Sequence, residues 1–430
     1  MKPELPRVLV VQVAALGYDL VELYPDCFRE LNLTFEPLKP VFPAVTCTAQ
    51  ASFRTGLVPA EHGIICNGLY HRRQAHVDFW NQSARLLPSS RFWEDFRARG
   101  GRVGTVCWQQ SLGDENVDLV LSPKPVHKHS GGIIQDCYTL PDNLYSRLCE
   151  RIGRSFNLLR YWGPFASLKS TSWIRQATSE IMADSELAPE LLLTYLPHLD
   201  YSLQKYGPNA KDKIREAVSA LTGELKLLLT SAAENGYAVV VAGDYNITEA
   251  SAAVYPNRIL RDAGMLWTRQ VRGRSYIDLF GTPAFAMVDH QIAHVYIRDE
   301  ALREKVVRVF QETTGVERVE YREELLNHPN SGEVILIAAP GYWFAYPWWQ
   351  YRREEPDYAS HMDIHNKIGF DPCELFLEKK LPPQVTRDTS KVKGTHGRDD
   401  KPVAFATTAA FSSTPRTYPE LVSNIRQILE

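Results

Sequence analysis

The chain has 430 residues, of which 44% are hydrophobic, 11% aromatic and 23% charged. That is enough for one large α/β enzyme domain with insertions or two ordinary domains, and the composition excludes a disordered chain. Its 48 basic and 51 acidic residues give a net charge of -3, which excludes an overall electrostatic footprint for a nucleic-acid polymer or an anionic membrane.

The apolar run from Val8 to Leu16 is short and β-branched, and a glycine turn then leads into helix-like sequence. It reads as a buried first strand rather than a signal-peptide core. No stretch approaches the roughly 18 apolar residues of a membrane span. Seven scattered cysteines without a C-x-x-C pair point to a reduced, cytoplasmic setting and away from a structural zinc knuckle. Next, "VFPAVTCTAQASFRTGL" crowds Thr46, Cys47, Thr48, Gln50, Ser52 and Thr55 between a proline and a glycine, so the segment holds either a nucleophile or a set of helix caps.

Residues 70–186 are less regular. They predict a strand at Val103 to Val106 and a partly irregular insertion, around "SPKPVHKHSGGI", that covers the site. "LLLTYL" (Leu191 to Leu196) and "AVVVA" (Ala238 to Ala242) repeat the plan of "VLVVQV" (Val8 to Val13), as strands buried on both faces of a parallel sheet do. Between them, Ile214, Ala217, Val218, Leu221, Leu225 and Leu228 line one face of a predicted helix over Asn209 to Glu234. The alternation predicts an α/β fold, a doubly wound and mostly parallel sheet sandwiched by helices. Ligands of such sheets lie beyond the strands' carboxyl ends, here Ala14 and its neighbours, Pro197 to Gln204, and Gly243 to Asn246. Residues 283–349 read as a small inserted α+β subdomain with a βαβ unit, and residues 1–282 with 350–430 as the core. The aromatic run Gly341 to Tyr351 reads as core or as the seam of that subdomain.

Two carboxylates stand at predicted strand ends. His198 and Asp200 are two apart, so in extended backbone both project to one face, as metal ligands would; the same residues also fit a turn cap and an ordinary loop histidine. Asp244 follows a glycine after a buried strand, a position used for metal or phosphate binding and equally for an N-cap. Further on come His361, Asp363 and His365 in "HMDIHNKIGFDP", and His396 in "KGTHGRDD". A histidine on a glycine turn is poorly explained as core, which favours ligand or catalytic use of His396. His62, His71, His127 and His129 read as surface or structural residues.

The order of segments, a first strand, "FPAVTCTAQASFRTGLVPAEHGI", "DYSLQKYGP", a strand ending in "GDYNI", then "DIHNKIGFDP" and "GTHG", resembles the type I phosphodiesterase and nucleotide pyrophosphatase family of the alkaline phosphatase superfamily. The resemblance implies a threonine nucleophile, Thr46, at the start of a helix whose first amides hold a phosphate, beside two zinc ions. Asp200, Asp244 and His396 keep the residue type of metal-ligand positions. Ala14, Gln204 and Tyr245 replace an aspartate and two histidines, and Ala49 replaces an asparagine expected to bond a phosphoryl oxygen. These departures reduce the expected metal content to one divalent ion, zinc by first choice, held by Asp200 and His396 with His198 or His365. Two functional classes stay open. One is a phosphodiesterase-like hydrolase of a small-molecule phosphoester, with Thr46 attacking in line. The other is a metal-degenerate member that binds a ligand without turnover or performs other chemistry in a polar pocket of Thr46, Tyr245 and Asp244.

Overall fold

Short β-branched runs that are apolar on both sides must be buried between two layers, and that requirement sets the centre of the molecule. The computed structural model describes residues 5–130, 132–361, 367–369, 375–378, 384–386 and 388–430. Eight strands, β1 (Val8–Val13), β2 (Glu36–Leu38), β3 (Val103–Val106), β4 (Leu119–Pro123), β5 (Cys137–Leu140), β6 (Leu191–Leu196), β7 (Ala238–Gly243) and β8 (Val403–Thr407), make one sheet in the order β2-β8-β7-β1-β6-β3-β4-β5. The five central strands, β7 to β4, are parallel, and β8, β2 and β5 pair antiparallel at the two ends. The doubly wound α/β reading holds.

Alternation along each strand feeds two cores. Leu9, Val11 and Val13 of β1 join Val239 and Val241 of β7 on one face, under α2 (Leu168–Ala183), α3 (His198–Tyr206) and α4 (Lys211–Glu234). Val8 and Val10 join Val240 and Ala242 on the other, under α1 (Thr46–Thr55) and α5 (Tyr418–Leu429). Helix α1 is anchored at its far end. Phe53 meets the rings of Trp108 and Tyr418 edge-on, and the fully buried Arg54 pairs with Asp114 at 3.4 Å.

A second, four-stranded sheet holds Ala284–Asp289, Ile292–Ile297, Val334–Ala338 and Val316–Tyr321, in that spatial order, every neighbour antiparallel. The helix Arg303–Gln311 links Ile292–Ile297 to Val316–Tyr321. These two strands therefore run parallel to one another but are separated by Val334–Ala338, so the βαβ unit is a split one. Gly341–Phe344 leaves that sheet and pairs with Thr248–Val254. Among the described residues, no helix is long and apolar enough to cross a membrane.

Candidate active site

The parallel strands β1, β6 and β7 end on one rim of the sheet, and the chain turns sharply there. After β1, Ala15 adopts a left-handed φ of 58°, which aims its amide at Asp244 Oδ1, 2.9 Å away. After β7, Gly243 is required by space, because a Cβ at this position would stand 2.2 Å from the Leu16 carbonyl oxygen. Asp244 is thereby driven into the interior. Its Oδ1 accepts from the amides of Ala15 and Tyr245, each at 2.9 Å, and its Oδ2 accepts from the Tyr195 hydroxyl at 3.3 Å. Burial raises the Asp244 pKa well above the ordinary carboxylate value, with the two amides opposing the shift and the Asp200 charge adding to it.

Asp200 lies on α3, one turn before Gln204. Its Oδ1 accepts from Gln204 Nε2 at 2.8 Å and from the Tyr245 hydroxyl at 2.9 Å. The Tyr245 ring is stacked on that of His396, with centroids 3.7 Å apart, and His290 covers the other face of His396 at 3.8 Å. His396 also bonds through Nδ1 to the Ala44 carbonyl at 2.9 Å, which ties it to the segment that launches α1.

Thr46 is the first residue of α1, and its side chain lines the same cavity as Tyr195 and Tyr245, close to both of their hydroxyls. Burial first, with the two aspartates adding to it, holds both tyrosine hydroxyls well above their usual pKa, so they remain donors; the neighbouring Thr46 hydroxyl opposes the shift. Two tyrosine–aspartate pairs, Tyr195 with Asp244 and Tyr245 with Asp200, thus converge on one threonine.

Thr46, Tyr195, Asp200 and Tyr245 form the closed end of a cavity of about 340 Å³. Its walls come from residues 80–162: Trp80 and Trp162, packed edge-on at 5.5 Å, with Leu158 and Tyr161, and Lys124 and His127 at an exposed rim. No arginine lines it among the described residues.

Several expected site residues lie elsewhere. His198 and Asp200 are not on extended backbone. The helix α3 begins at His198, so a spacing of two turns the side chains about 200° apart. His198 is buried away from the cavity, its Nδ1 without a hydrogen-bond partner and its pKa pushed down by burial to about 4. Ala49 is packed into the sheet-facing core of α1. Ala14, fully buried, places a methyl group where a carboxylate was expected. His365 lies outside the described residues.

Sequence reasoning missed Tyr195, which reads as one more core residue of β6, and Asn67. Asn67 Oδ1 accepts from the Cys47 amide at 3.0 Å, while its own amide and side-chain nitrogen donate to Asp289. One of the first amides of α1, expected to face a phosphate, is therefore already capped. His127 stands on the cavity rim. A second hydroxyl–imidazole pair, Ser52 with His62 at 2.9 Å, is no nucleophile pair. The Ile64 amide donates to His62 Nδ1, so Nε2 carries the proton and donates to Ser52.

The donor set does not fit a two-zinc centre. Three expected ligands are Ala14, Gln204 and Tyr245, both oxygens of Asp244 are taken by protein donors, and Asp200 Oδ1 already accepts twice. Among the described residues, no three His, Cys, Asp or Glu side chains are grouped as a metal site requires.

A sequence model of the type I phosphodiesterase / nucleotide pyrophosphatase family matches residues 28–397. The fold is similar to that of phosphonoacetate hydrolase from Sinorhizobium meliloti 1021 in complex with phosphonoformate, at 15% identity and a TM-score of 0.66 over 99% of this chain and 96% of that one. It is also similar to murine ectonucleotide pyrophosphatase / phosphodiesterase 5, at 14% identity and a TM-score of 0.60 over 98% and 95% of the two chains. The human protein of the same name aligns at 13% identity and 0.62, over 98% and 94%. No curated protein sequence matches the chain.

Proposed function

The chain belongs to the type I phosphodiesterase and nucleotide pyrophosphatase family, and from that premise we propose that it is a phosphoester hydrolase acting on a small organic phosphate or phosphonate ester, with Thr46 as nucleophile. The observation that carries this reading is Thr46, set beside two buried tyrosines in the lining of a cavity of small-molecule size. Thr46 Oγ attacks phosphorus, its bond to phosphorus forming as the ester bond breaks. Its proton moves to the Tyr245 oxygen while the Tyr245 proton moves to Asp200 Oδ1, along the bond already made there, and the ester's alcohol leaves as its anion, which takes up that proton from Asp200. Water then attacks phosphorus as the bond to Thr46 Oγ breaks, and one of its protons restores the threonine hydroxyl. The apolar part of the ester rests against Trp80 and Trp162, with Lys124 and His127 at the entrance.

The single-zinc expectation, with Asp200 and His396 as ligands, finds less support, because Tyr245 bonds one and stacks on the other. A second reading, ligand binding without turnover, is favoured by one observation: the cavity has no arginine among its described lining residues, and its one lysine, Lys124, stands at the exposed rim, so a charged transition state meets few cationic groups.

A panel of aryl phosphodiesters and phosphonate monoesters, assayed with wild type and Thr46→Ala, tests the proposal. Turnover confined to wild type, with a phosphothreonine trapped at position 46, is expected. Turnover that survives in Thr46→Ala would overturn the nucleophile, and tight binding of the esters without turnover would select the second reading.

A further inference from the structure

We infer that this site works without a divalent cation, because the hydroxyls of Tyr195 and Tyr245 bond the two carboxylates that a cation would need.

The argument is one of donor counting around oxygen. A divalent ion is held by the lone pairs of deprotonated ligands, commonly three or more from the protein. Asp244 spends both oxygens on hydrogen-bond donors: two backbone amides on Oδ1 and the Tyr195 hydroxyl on Oδ2. Neither amide can turn away without unmaking the ends of β1 and β7. Asp200 Oδ1 accepts from Gln204 and Tyr245. A cation entering here would displace a buried tyrosine hydroxyl and leave it unpaired, at a cost of about 1–3 kcal/mol for each group stranded.

The replacements also fit one another. Tyr245 bonds Asp200 with its hydroxyl and stacks on His396 with its ring, so a single side chain engages two residues that kept a ligand's identity. Gln204 brings an amide donor to the same Asp200 oxygen. Beside them, Ala14 brings no carboxylate, and the amide of the next residue, Ala15, donates to Asp244. Three separate losses of a ligand would leave bare, buried carboxylates; instead each carboxylate has gained a donor. Each tyrosine proton is committed to a carboxylate, so the tyrosines present a neutral oxygen beside Thr46 and no positive charge, and the site does not act as a Lewis acid.

The inference rests on the proposed function only in taking the Thr46 cavity as the working site. The test is elemental analysis of the full chain, expressed with zinc, manganese, iron and magnesium supplied, together with calorimetric titration of the purified protein with zinc. Metal at background and no saturable zinc site are expected. An equivalent of any of these metals, retained by wild type and lost in Asp200→Asn, would overturn the inference.

The variant Ala14→Asp/Gln204→His/Tyr245→His is expected to gain a saturable zinc site. Should it fail to fold, Tyr245→His alone, which keeps a ring against His396, is expected to tighten zinc by roughly tenfold or more. Unchanged zinc affinity in a folded Tyr245→His would mean that the tyrosine is not what excludes the ion, and would also overturn the inference. Assays of phosphoesters in chelator separate this idea from the one beneath it. Turnover abolished by the chelator overturns the inference and spares the phosphoester reading. A protein that binds no zinc and turns over no ester overturns the phosphoester reading and leaves the metal-free site standing.

Discussion

The ring of Tyr245 lies parallel to that of His396, with centroids 3.7 Å apart and planes within 8°. The hydroxyl of the same residue donates to Asp200. The two contacts are separable. Tyr245→Phe keeps the stack and removes one donor from a buried carboxylate, so it is expected to destabilise the fold by about 1–2 kcal/mol. Tyr245→Ala loses both and leaves a void, at about 3–5 kcal/mol. Urea unfolding of the two variants at equal pH checks the difference.

Thr46 contributes little to the anchoring of its own helix, since Thr48 bonds the carbonyls of Pro43 and Val45 and Asn67 caps the Cys47 amide. Thr46→Ala is therefore expected to lower stability by no more than about 1 kcal/mol. It is expected to lower phosphoester turnover by on the order of a thousandfold or more. Thr46→Ser, which keeps an attacking oxygen, is expected to retain measurable turnover, and steady-state kinetics beside thermal melts read both.

Asp244 is fully buried with a raised pKa, so an uncharged isostere suits its place. In Asp244→Asn the side-chain oxygen still accepts from the amides of Ala15 and Tyr245, and the nitrogen donates to the Tyr195 oxygen. The expected cost is below about 1 kcal/mol. Asp244→Ala strands both amides and the Tyr195 hydroxyl in the interior, for about 3 kcal/mol or more. Near-equal losses in the two variants would contradict this account of the carboxylate.

Stability depends on pH through buried histidines outside the cavity, His198 and two others. Burial, then the charges of Arg54 and His328, push the His62 pKa down to about 3; burial likewise lowers His294 to about 4, helped by Arg72 and opposed by the Ile65 carbonyl. Both pKa values are depressed by folding, so the unfolded chain binds these protons first as the pH falls below about 6.5. The stabilisation is complete above that value and is lost on acidification towards pH 4, by up to about 1.4 kcal/mol per pH unit for each ring. His294→Gln is expected to flatten the slope of stability against pH by one proton over this window, as followed by urea melts at successive pH values.

The sheet was legible because its centre consists of runs too short for helices and apolar on both faces. β1, β3 and β6 begin and end at the expected residues, and β7 runs one residue further, to Gly243. Thr46, Asp200, Asp244 and Tyr245 were legible because they lie at strand or helix ends within recognisable segments. The His198 pairing failed for a local reason: the chain turns straight from β6 through Pro197 into α3, and helical spacing replaced the extended one. Tyr195 carried no signal, since a tyrosine next to the end of a buried strand is usually core. The cavity walls depend on how residues 80–162 pack over the sheet, which no periodicity encodes. The aromatic run near residue 345 is core, with Trp343, Phe344, Trp348 and Trp349 all buried, and none of them lines the cavity.

Strand β2 reaches the sheet only through β8, which lies between it and β7. Just before β8, His396 bonds to Ala44, a partner 352 positions away, and Ala44 in turn bonds to Gly397. The segment that launches α1 is thus clamped by residues made about 350 positions later. During synthesis Thr46 emerges early but has no fixed position until residues near 400 have left the ribosome, and closing so long a loop is slow. A chain clipped before His396 would carry the threonine and both aspartates but lack the clamp that holds Ala44, two residues ahead of Thr46.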